Sequence, residues 1–382
     1  MADKTPLRIA PDLFRWARET VGLPLPVAAK RIGVKPEKLE EWEGKEALPT
    51  PRQLEKAADA YKRPVAMFFL PAPPKEPPLP IDFRSPKLTK QGDFSTSTRL
   101  AIRRARWLKE VYAEIAEPER SAMPQSDDSR PDSVAEVIRG WLASTFNAVR
   151  GKQANDALRI WRDSLEDAGL LVFQFPMPMD DAHAFSFADG VPAIVLNSKD
   201  AYARRIFSTV HELAHLILRQ PGLCNPSEYV EVEGSTELEV RCNAAAGLAL
   251  VPNASLTDQP AVLRIRRGGD VLETLEPLAR SFAVSRQVIL RRLFELDLVN
   301  RPTFHRAMEV LQREYQEQLK LKKKRKIIVQ PSTKAVGQLG KKFVTNVLSA
   351  HERGAISDSD VAEYLGVRLQ HIDKVQELVG AE

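Results

Sequence analysis

The stretch STVHELAHLILRQPG, residues 208–222, places two histidines and a glutamate inside an apolar run with helical spacing. His211 and His215 are four residues apart, so on a helix both imidazoles lie on one face and can reach a single metal ion. Glu212 projects beside that ion, where a carboxylate can accept a proton from bound water. This is the HExxH arrangement. The alternative is a buried helix whose histidines bond to backbone carbonyls.

The surroundings of this motif favour the metal site. Apolar residues on the same helix would bury it, namely Phe207, Val210, Leu213, Leu216 and Ile217. Two imidazoles and a carboxylate are costly in an apolar setting unless a partner satisfies them, and a metal ion would do so. A catalytic zinc usually has three protein ligands, so the sequence must supply a third.

The third ligand is expected on a second helix within STELEVRCNAAAGLALVP, residues 235–252. Ser235 or Thr236 would cap this helix, and its run of small residues would let it pack close to the first one. Glu237 and Glu239 both lie near its start. Each of them is a candidate for the third ligand.

A hairpin is predicted upstream of the motif, in DAHAFSFADGVPAIVLNS, residues 181–198. Its two strands would be joined around Asp189-Gly190, a strong turn signal. A further β-rich run, GLLVFQFPM, precedes it at residues 169–177. His183 lies on this hairpin and is either an oxyanion donor or, as we expect, a surface loop residue.

These segments together resemble the ImmA/IrrE family of zinc metallopeptidases, in the long form that joins an Xre-type helix-turn-helix to the peptidase. The resemblance covers most of the chain and runs through AFSFADGVPAIVLNS, ARRIFSTVHELAHLIL, ELEVRCNAAAGLALVP and LARSFAVSRQVILRRLFELDLV. In that family the third ligand is a glutamate four residues before an asparagine, a pattern that Glu239 and Asn243 match. The alternative ligand, Glu237, would be turned by about 200° around the helix axis.

The resemblance implies a Zn²⁺ ion held by His211, His215 and Glu239, with Glu212 as the catalytic general base of a gluzincin-like endopeptidase. It also implies a protein substrate, an Xre-type helix-turn-helix repressor, and a role in a stress or mobile-element response. The alternative is a non-cleaving transcriptional regulator or antitoxin-like sensor built on a peptidase fold. The intact set of ligands and base favours cleavage.

The first 70 residues read as short helices, with Gly22, Gly33 and Gly44 where helices should stop. From about residue 12 this stretch resembles the Xre-type helix-turn-helix. The predicted recognition helix, residues 35–46, carries three lysines against five glutamates. Because glutamates repel phosphates, binding to DNA and binding to protein are equally open for this module.

The fold class predicted for the whole chain is α+β and mostly helical, with a zincin-like domain that has a small β-sheet. The expected domains are a helix-turn-helix at 1–70, a proline-rich linker at 71–94, a helical scaffold at 95–150, a peptidase domain with a winged-helix-like end at 151–300, and a basic helical region at 301–382.

The formal net charge of +5 arises after residue 300, where 15 Lys and Arg stand against 10 Asp and Glu. Its densest cluster is KLKKKRK, residues 320–326, which either contacts nucleic acid or forms a solvated helix end. The arginines of residues 272–300 have the same two interpretations, contact with DNA or peptide against simple packing.

With 43% hydrophobic and 28% charged residues, the composition is that of an ordinary soluble protein. We find no long apolar run and no signal-peptide pattern, which predicts a cytoplasmic protein without a membrane partner. Two cysteines, Cys224 and Cys242, cannot build a disulfide framework. The sequence makes no prediction of oligomeric state.

Overall fold

The computed structural model describes residues 9–44, 47–76, 94–117, 121–219, 223–224, 237–324 and 329–380. Side chains are described for these residues except 223–224 and 318–324. The described chain is α+β and mostly helical with one small mixed sheet, which confirms the predicted fold class. It divides into two compact units, an N-terminal one that ends at Arg103 and a second that begins at Arg104. Most of the predicted proline-rich linker, 71–94, lies outside the described residues.

The N-terminal unit is a bundle of short helices. They are α1 (Pro11–Thr20), α2 (Leu25–Ile32), α3 (Pro36–Gly44), α4 (Pro51–Tyr61), a 3-10 helix (Val65–Phe69) and the beginning of α5 (Thr96–Ile115). Prolines occupy the first turns of α1, α2 and α4, where a missing backbone N–H costs nothing. Gly33 ends α2 with φ 82°, a left-handed conformation that favours glycine. Aromatic side chains fill the centre of the bundle, with Phe14 in contact with Trp42 and Phe68.

The second unit is built mainly from helices. After α5 they are α6 (Pro131–Trp141), α7 (Ala143–Val149), α8 (Ala154–Asp167), α9 (Tyr202–Ile217), α10 (Glu237–Leu250), α11 (Asn253–Thr257), α12 (Pro260–Arg266), α13 (Val271–Phe282), α14 (Arg286–Glu295), α15 (Arg301–Lys324), α16 (Pro331–Leu339), α17 (Lys341–Glu352), α18 (Asp358–Leu365), a 3-10 helix (Leu369–His371) and α19 (Ile372–Gly380). No helix in the described ranges is both long and apolar enough to cross a membrane.

The sheet of this unit has the strand order β1-β3-β2-β4. Its strands are β1 (Leu171–Phe175), β2 (Ala184–Phe187), β3 (Ala193–Asn197) and β4 (Leu223–Cys224). β1 pairs with β3 in parallel, whereas β2 is antiparallel to both β3 and β4. The antiparallel β2–β3 pair confirms the predicted hairpin, and Gly190 takes φ 59° in its turn.

Helix α9 lies at the centre of the second unit. It packs on β2 and β3, on α8 and α6, and on α10, so every residue from Arg205 to Ile217 is buried. A helix that is enclosed on all sides must be apolar all round unless its polar residues have partners. The polar residues of the HExxH motif are therefore enclosed by the helices and strands that surround α9.

The C-terminal helices pack back onto the sheet and its flanking helix. α16 contacts β1 and α17 contacts α8, so residues after 330 cover a face of the same unit. Within the predicted winged-helix-like segment, α13 and α14 are joined by Ala283 in a left-handed conformation, and Ser285 caps α14 by accepting from the Val288 N–H. The described residues 237–324 contain no strand, and after α14 the chain continues into α15.

Candidate metal centre

His211 and His215 project from one face of α9 toward the same point. Their Nε2 atoms lie 3.0 Å apart, and both residues are fully buried. This geometry follows from the four-residue spacing, which stacks the two imidazoles one helical turn apart. The predicted pair is thus brought together by a single rigid element.

Helix α10 packs against α9 and brings Glu239 to the two imidazoles. Its Oε2 lies 3.4 Å from His211 Nε2, and its Oε1 lies 3.1 Å from His215 Nε2. These three residues form a group whose ligand atoms all lie within 4.8 Å of one another, and it could hold a metal ion. A tetrahedral zinc with Zn–N distances of about 2.05 Å separates its ligand atoms by about 3.3 Å, so the donor set fits such an ion.

The alternative ligand, Glu237, lies on a different side of α10. Its side chain is 81% exposed and pairs with Arg241 one turn further along the helix. Two residues that are two positions apart on an α-helix point in directions that differ by about 200°. Only one of the two glutamates can therefore face α9. The predicted caps Ser235 and Thr236 lie outside the described residues.

The electrostatics of Glu239 suit a ligand for a cation. Burial alone would raise the pKa of this carboxyl, but hydrogen bonds and charge from His211 and His215 outweigh it and hold the pKa well below its usual range. Burial lowers the pKa of His215, but contacts with Cys242 and Glu239 outweigh this effect and raise the pKa well above its ordinary value. A bound cation could replace the proton that this cluster attracts.

Cys242 is a neighbour of the site that sequence reasoning did not single out. It lies three residues after Glu239 on the same face of α10, is fully buried as a free thiol, and forms a hydrogen bond with His215. Burial raises the pKa of the thiol, and the charges of Glu239 and Glu212 add to that increase against the opposing effect of His215. The i, i+3 spacing from Glu239 was the signal that would have identified it.

Glu212, the predicted general base, is fully buried beside the two histidines on α9. Its charge is one of the smaller causes that raise the pKa of the Cys242 thiol on α10. The predicted base and two candidate ligands thus lie on α9, and the third ligand lies on α10, which packs against it.

His183 differs from expectation, because it is buried and is not a surface loop residue. Its Nδ1 lies 2.6 Å from Oδ2 of Asp200, whose Oδ1 accepts a hydrogen bond of 2.8 Å from the Tyr315 hydroxyl. Burial opposes ionisation of Asp200, but the contacts with His183 outweigh it and lower the pKa of this carboxyl. Tyr315 is 115 residues from Asp200, so no local pattern could have revealed this cluster.

Arginines fix the far end of α10. Arg139 donates to the carbonyl of Ala249 at 2.7 Å, and Arg292 donates to the carbonyl of Val251 at 3.2 Å. Both bonds satisfy carbonyls that the end of a helix leaves without partners. For Arg292, which is buried, the structure favours packing over contact with DNA or peptide.

Comparison with known proteins agrees with this geometry. Residues 165–294 match the family model of the IrrE N-terminal-like domain, a peptidase domain, and this range contains α9, α10 and the hairpin. The match supports the ImmA/IrrE family and a metallopeptidase-type domain for this part of the chain. A search of curated proteins finds no match to the sequence.

Proposed function

We propose that this protein is a zinc-dependent endopeptidase that cleaves a specific regulatory protein. The observation that carries the proposal is the meeting of His211, His215 and Glu239 around one point, with Glu212 buried on the same helix. The match of residues 165–294 to a peptidase domain supports the same reaction class.

Each side chain of the centre would have a separate role. His211, His215 and Glu239 would hold zinc, which when bound lowers the pKa of a water ligand and polarises a peptide carbonyl. Glu212 accepts the proton of the attacking water and later donates it to the leaving amine. Cys242, which forms a hydrogen bond with His215, would help to keep that imidazole oriented toward the metal.

Burial of the site supports a protease that acts on few proteins. His211, Glu212 and His215 are each 0% exposed, so a peptide reaches them only after part of the surrounding structure moves. Binding energy from a specific partner can supply that movement, whereas an arbitrary unfolded chain cannot. We infer that cleavage is restricted to a partner that opens the site.

For the N-terminal unit we propose an Xre-type helix-turn-helix that recognises a protein. Along α3 the exposed or half-buried acids Glu37, Glu40 and Glu41 outnumber the one lysine, Lys38. Glu43 is turned inward, where Arg18 binds both of its oxygens at 2.7 and 2.8 Å. Because the solvent-facing side of α3 stays acidic, it repels phosphates, and a helix-turn-helix repressor is a better partner than DNA.

The test is Glu212→Gln, with Glu237→Gln as the matched control from the exposed side of α10. Glutamine keeps the volume of Glu212 but cannot accept the proton, so cleavage should slow by roughly 10²- to 10⁴-fold. Zinc content, measured by elemental analysis, should stay at that of the wild type, and Glu237→Gln should cleave normally.

The substrate assay uses repressors encoded beside the gene, and it follows the full-length repressor and the transcript it controls under the inducing stress. Loss of the full-length band and induction in wild type, with neither in Glu212→Gln, supports the peptidase. Equal induction in both strains with the repressor intact would establish the non-cleaving regulator in its place.

A further inference from the structure

Three helices of the second unit begin at the rim of one cavity. The cavity has a volume of about 280 Å³ and is lined by residues at the start of each helix: Gln153 and Ala154 at α8, Ala201 and Ala203 at α9, and Ser285, Arg286 and Gln287 at α14. His211 is nine residues beyond the first residue of α9, so the metal centre lies about 14 Å further along that helix. The cavity is therefore a separate site.

The three helix ends give the cavity a positive field. α8, α9 and α14 are 14, 16 and 10 residues long, and each starts at this rim. The first N–H groups of a helix have no acceptor within the helix, and they carry the positive end of its dipole. At the start of α9 the Asp200 carboxylate accepts from the Ala201 N–H at 2.7 Å and offsets part of that helix's positive end, so α8 and α14 are the ends that chiefly favour an anion at this cavity.

The charged side chains at the rim of the cavity also favour an anion. Lys152, Arg280 and Arg286 line the cavity, against one acid, Glu276. Glu276 lies 3.6 Å from Arg280 and 3.7 Å from Arg286, so it offsets part of their charge. Glu314 forms a closer pair with Arg286, which leaves Lys152 and Arg280 as the less compensated cations.

A buried amide provides independent evidence for a ligand. Gln287 lines the cavity, is 6% exposed, and accepts a 3.4 Å hydrogen bond from Arg204 through Oε1. Arg204 is itself held over the ring of Tyr315 at 4.2 Å, which fixes this orientation of the amide. The other amide atom, Nε2, has no hydrogen-bond partner among the described residues. A buried donor without an acceptor is costly, so an acceptor supplied by a ligand would stabilise it.

We propose that this cavity binds the phosphate or carboxylate group of a small metabolite. Ligand pockets usually occupy roughly 300–1,000 Å³, so this cavity lies at the small end of that range. Lys152 and Arg280 pair with the anion, Gln287 Nε2 donates to one of its oxygens, and the helix ends complete the site. This site is independent of the metal centre and of the proposed peptidase reaction.

The test is calorimetric titration of the full-length, zinc-loaded protein with inorganic phosphate and, separately, with acetate at constant ionic strength. One saturable site for either anion is expected, and its relative affinity for the two identifies the preferred group. In the Lys152→Gln/Arg280→Gln double variant, affinity should fall by about tenfold or more, since charge-assisted hydrogen bonds are lost. Arg291→Gln, which removes a cation of α14 that is paired with Glu295 and does not line the cavity, should bind as the wild type does.

Gln287→Glu gives a second measurement, because it places a carboxylate where the anion would be bound. It should abolish binding while zinc content stays unchanged, which separates this proposal from failure of the metal site. Absence of saturable binding, or an equal loss in Arg291→Gln, would overturn the proposal. Saturable binding of duplex DNA that the double variant loses, without binding of phosphate or acetate, would overturn it too.

Discussion

Glu239, which is mostly enclosed, and Glu166, which is buried, are two carboxylates of the second unit whose surroundings shift their pKa values in opposite directions. Two imidazoles within 3.1 and 3.4 Å hold the pKa of Glu239 well below its usual range in spite of burial. Glu166 lies on α8, where burial raises its pKa to about 7. The groups that favour the ionised form of Glu166 have a weaker effect than those around Glu239. They include Arg162 at 3.8 Å and the backbone N–H of Lys342 at 2.8 Å.

The comparison shows that partners, and not burial, decide what a buried carboxylate can do. Glu239 remains an anion inside the protein because both of its oxygens have a cationic or hydrogen-bonding neighbour, and an anion held in this way can bind a metal ion. Glu166 accepts a hydrogen bond at the start of α17 and so joins two helices. The first carboxylate belongs to the candidate metal centre, and the second one to the packing of the C-terminal helices.

Removing an imidazole should have the largest effect. In His211→Ala or His215→Ala the metal loses one of three ligands, and its affinity should fall by several kcal/mol, enough to prevent retention through purification. Elemental analysis of the purified variants measures this directly. Full occupancy in both would show that the cluster around Glu239 is no metal site, which would remove the contrast with Glu166.

The two glutamates of α10 offer a sharper version of the same test. Glu239→Gln removes a charged ligand and should weaken zinc binding by at least about tenfold, the lower range for changes around a metal. Glu237→Gln changes an exposed side chain paired with Arg241 and should bind zinc as the wild type does. Competition with a chromogenic chelator gives both affinities. The reverse ranking would assign the ligand to Glu237.

The third prediction concerns Glu166 and acts on stability through pH rather than on metal binding. Because its folded pKa of about 7 is above the ordinary value of 4.5, the stability that Glu166 contributes is complete below pH 4.5 and is lost as pH rises through 7. Relative to Glu166→Gln, which does not titrate, the wild type should lose about 3 kcal/mol of unfolding free energy between pH 4.5 and 8. Urea denaturation at several pH values measures this difference.

Asp167→Asn is the matched control for that experiment, since Asp167 is the next residue of α8 and is exposed. Its unfolding free energy should follow the wild-type pH profile. If the difference in unfolding free energy between wild type and Glu166→Gln does not change with pH, Arg162 and Lys342 stabilise the buried charge fully. Glu166 would then stay ionised, as Glu239 does.

Sequence reasoning reached the parts of the site that depend on spacing within one element. The HExxH pair needs only the pitch of α9, and the β2–β3 hairpin needs only its turn. The choice between Glu237 and Glu239 needed the family resemblance, because both lie in the first turn of α10 and nothing local says which side of that helix faces α9.

Contacts between distant segments were the part that sequence could not supply. His183 was expected on the surface because the local pattern does not show its contacts. It is buried against Asp200, which in turn accepts a hydrogen bond from Tyr315, far along the chain. After α14 the chain continues as the long helix α15, which packs on α14, another contact that no local pattern reveals. Local patterns specify elements, whereas burial and partners depend on how those elements pack.

The burial of the candidate ligand atoms would also set the rate at which a bound metal ion exchanges. Of the three candidate ligands only Glu239 reaches solvent, with 17% of its side chain exposed. A chelator can therefore remove the ion only after α10 or its surroundings open, and that opening is a first-order event of the protein itself. At high chelator concentration the rate of zinc loss should become independent of the chelator, and any partner that opens the site should raise this limiting rate.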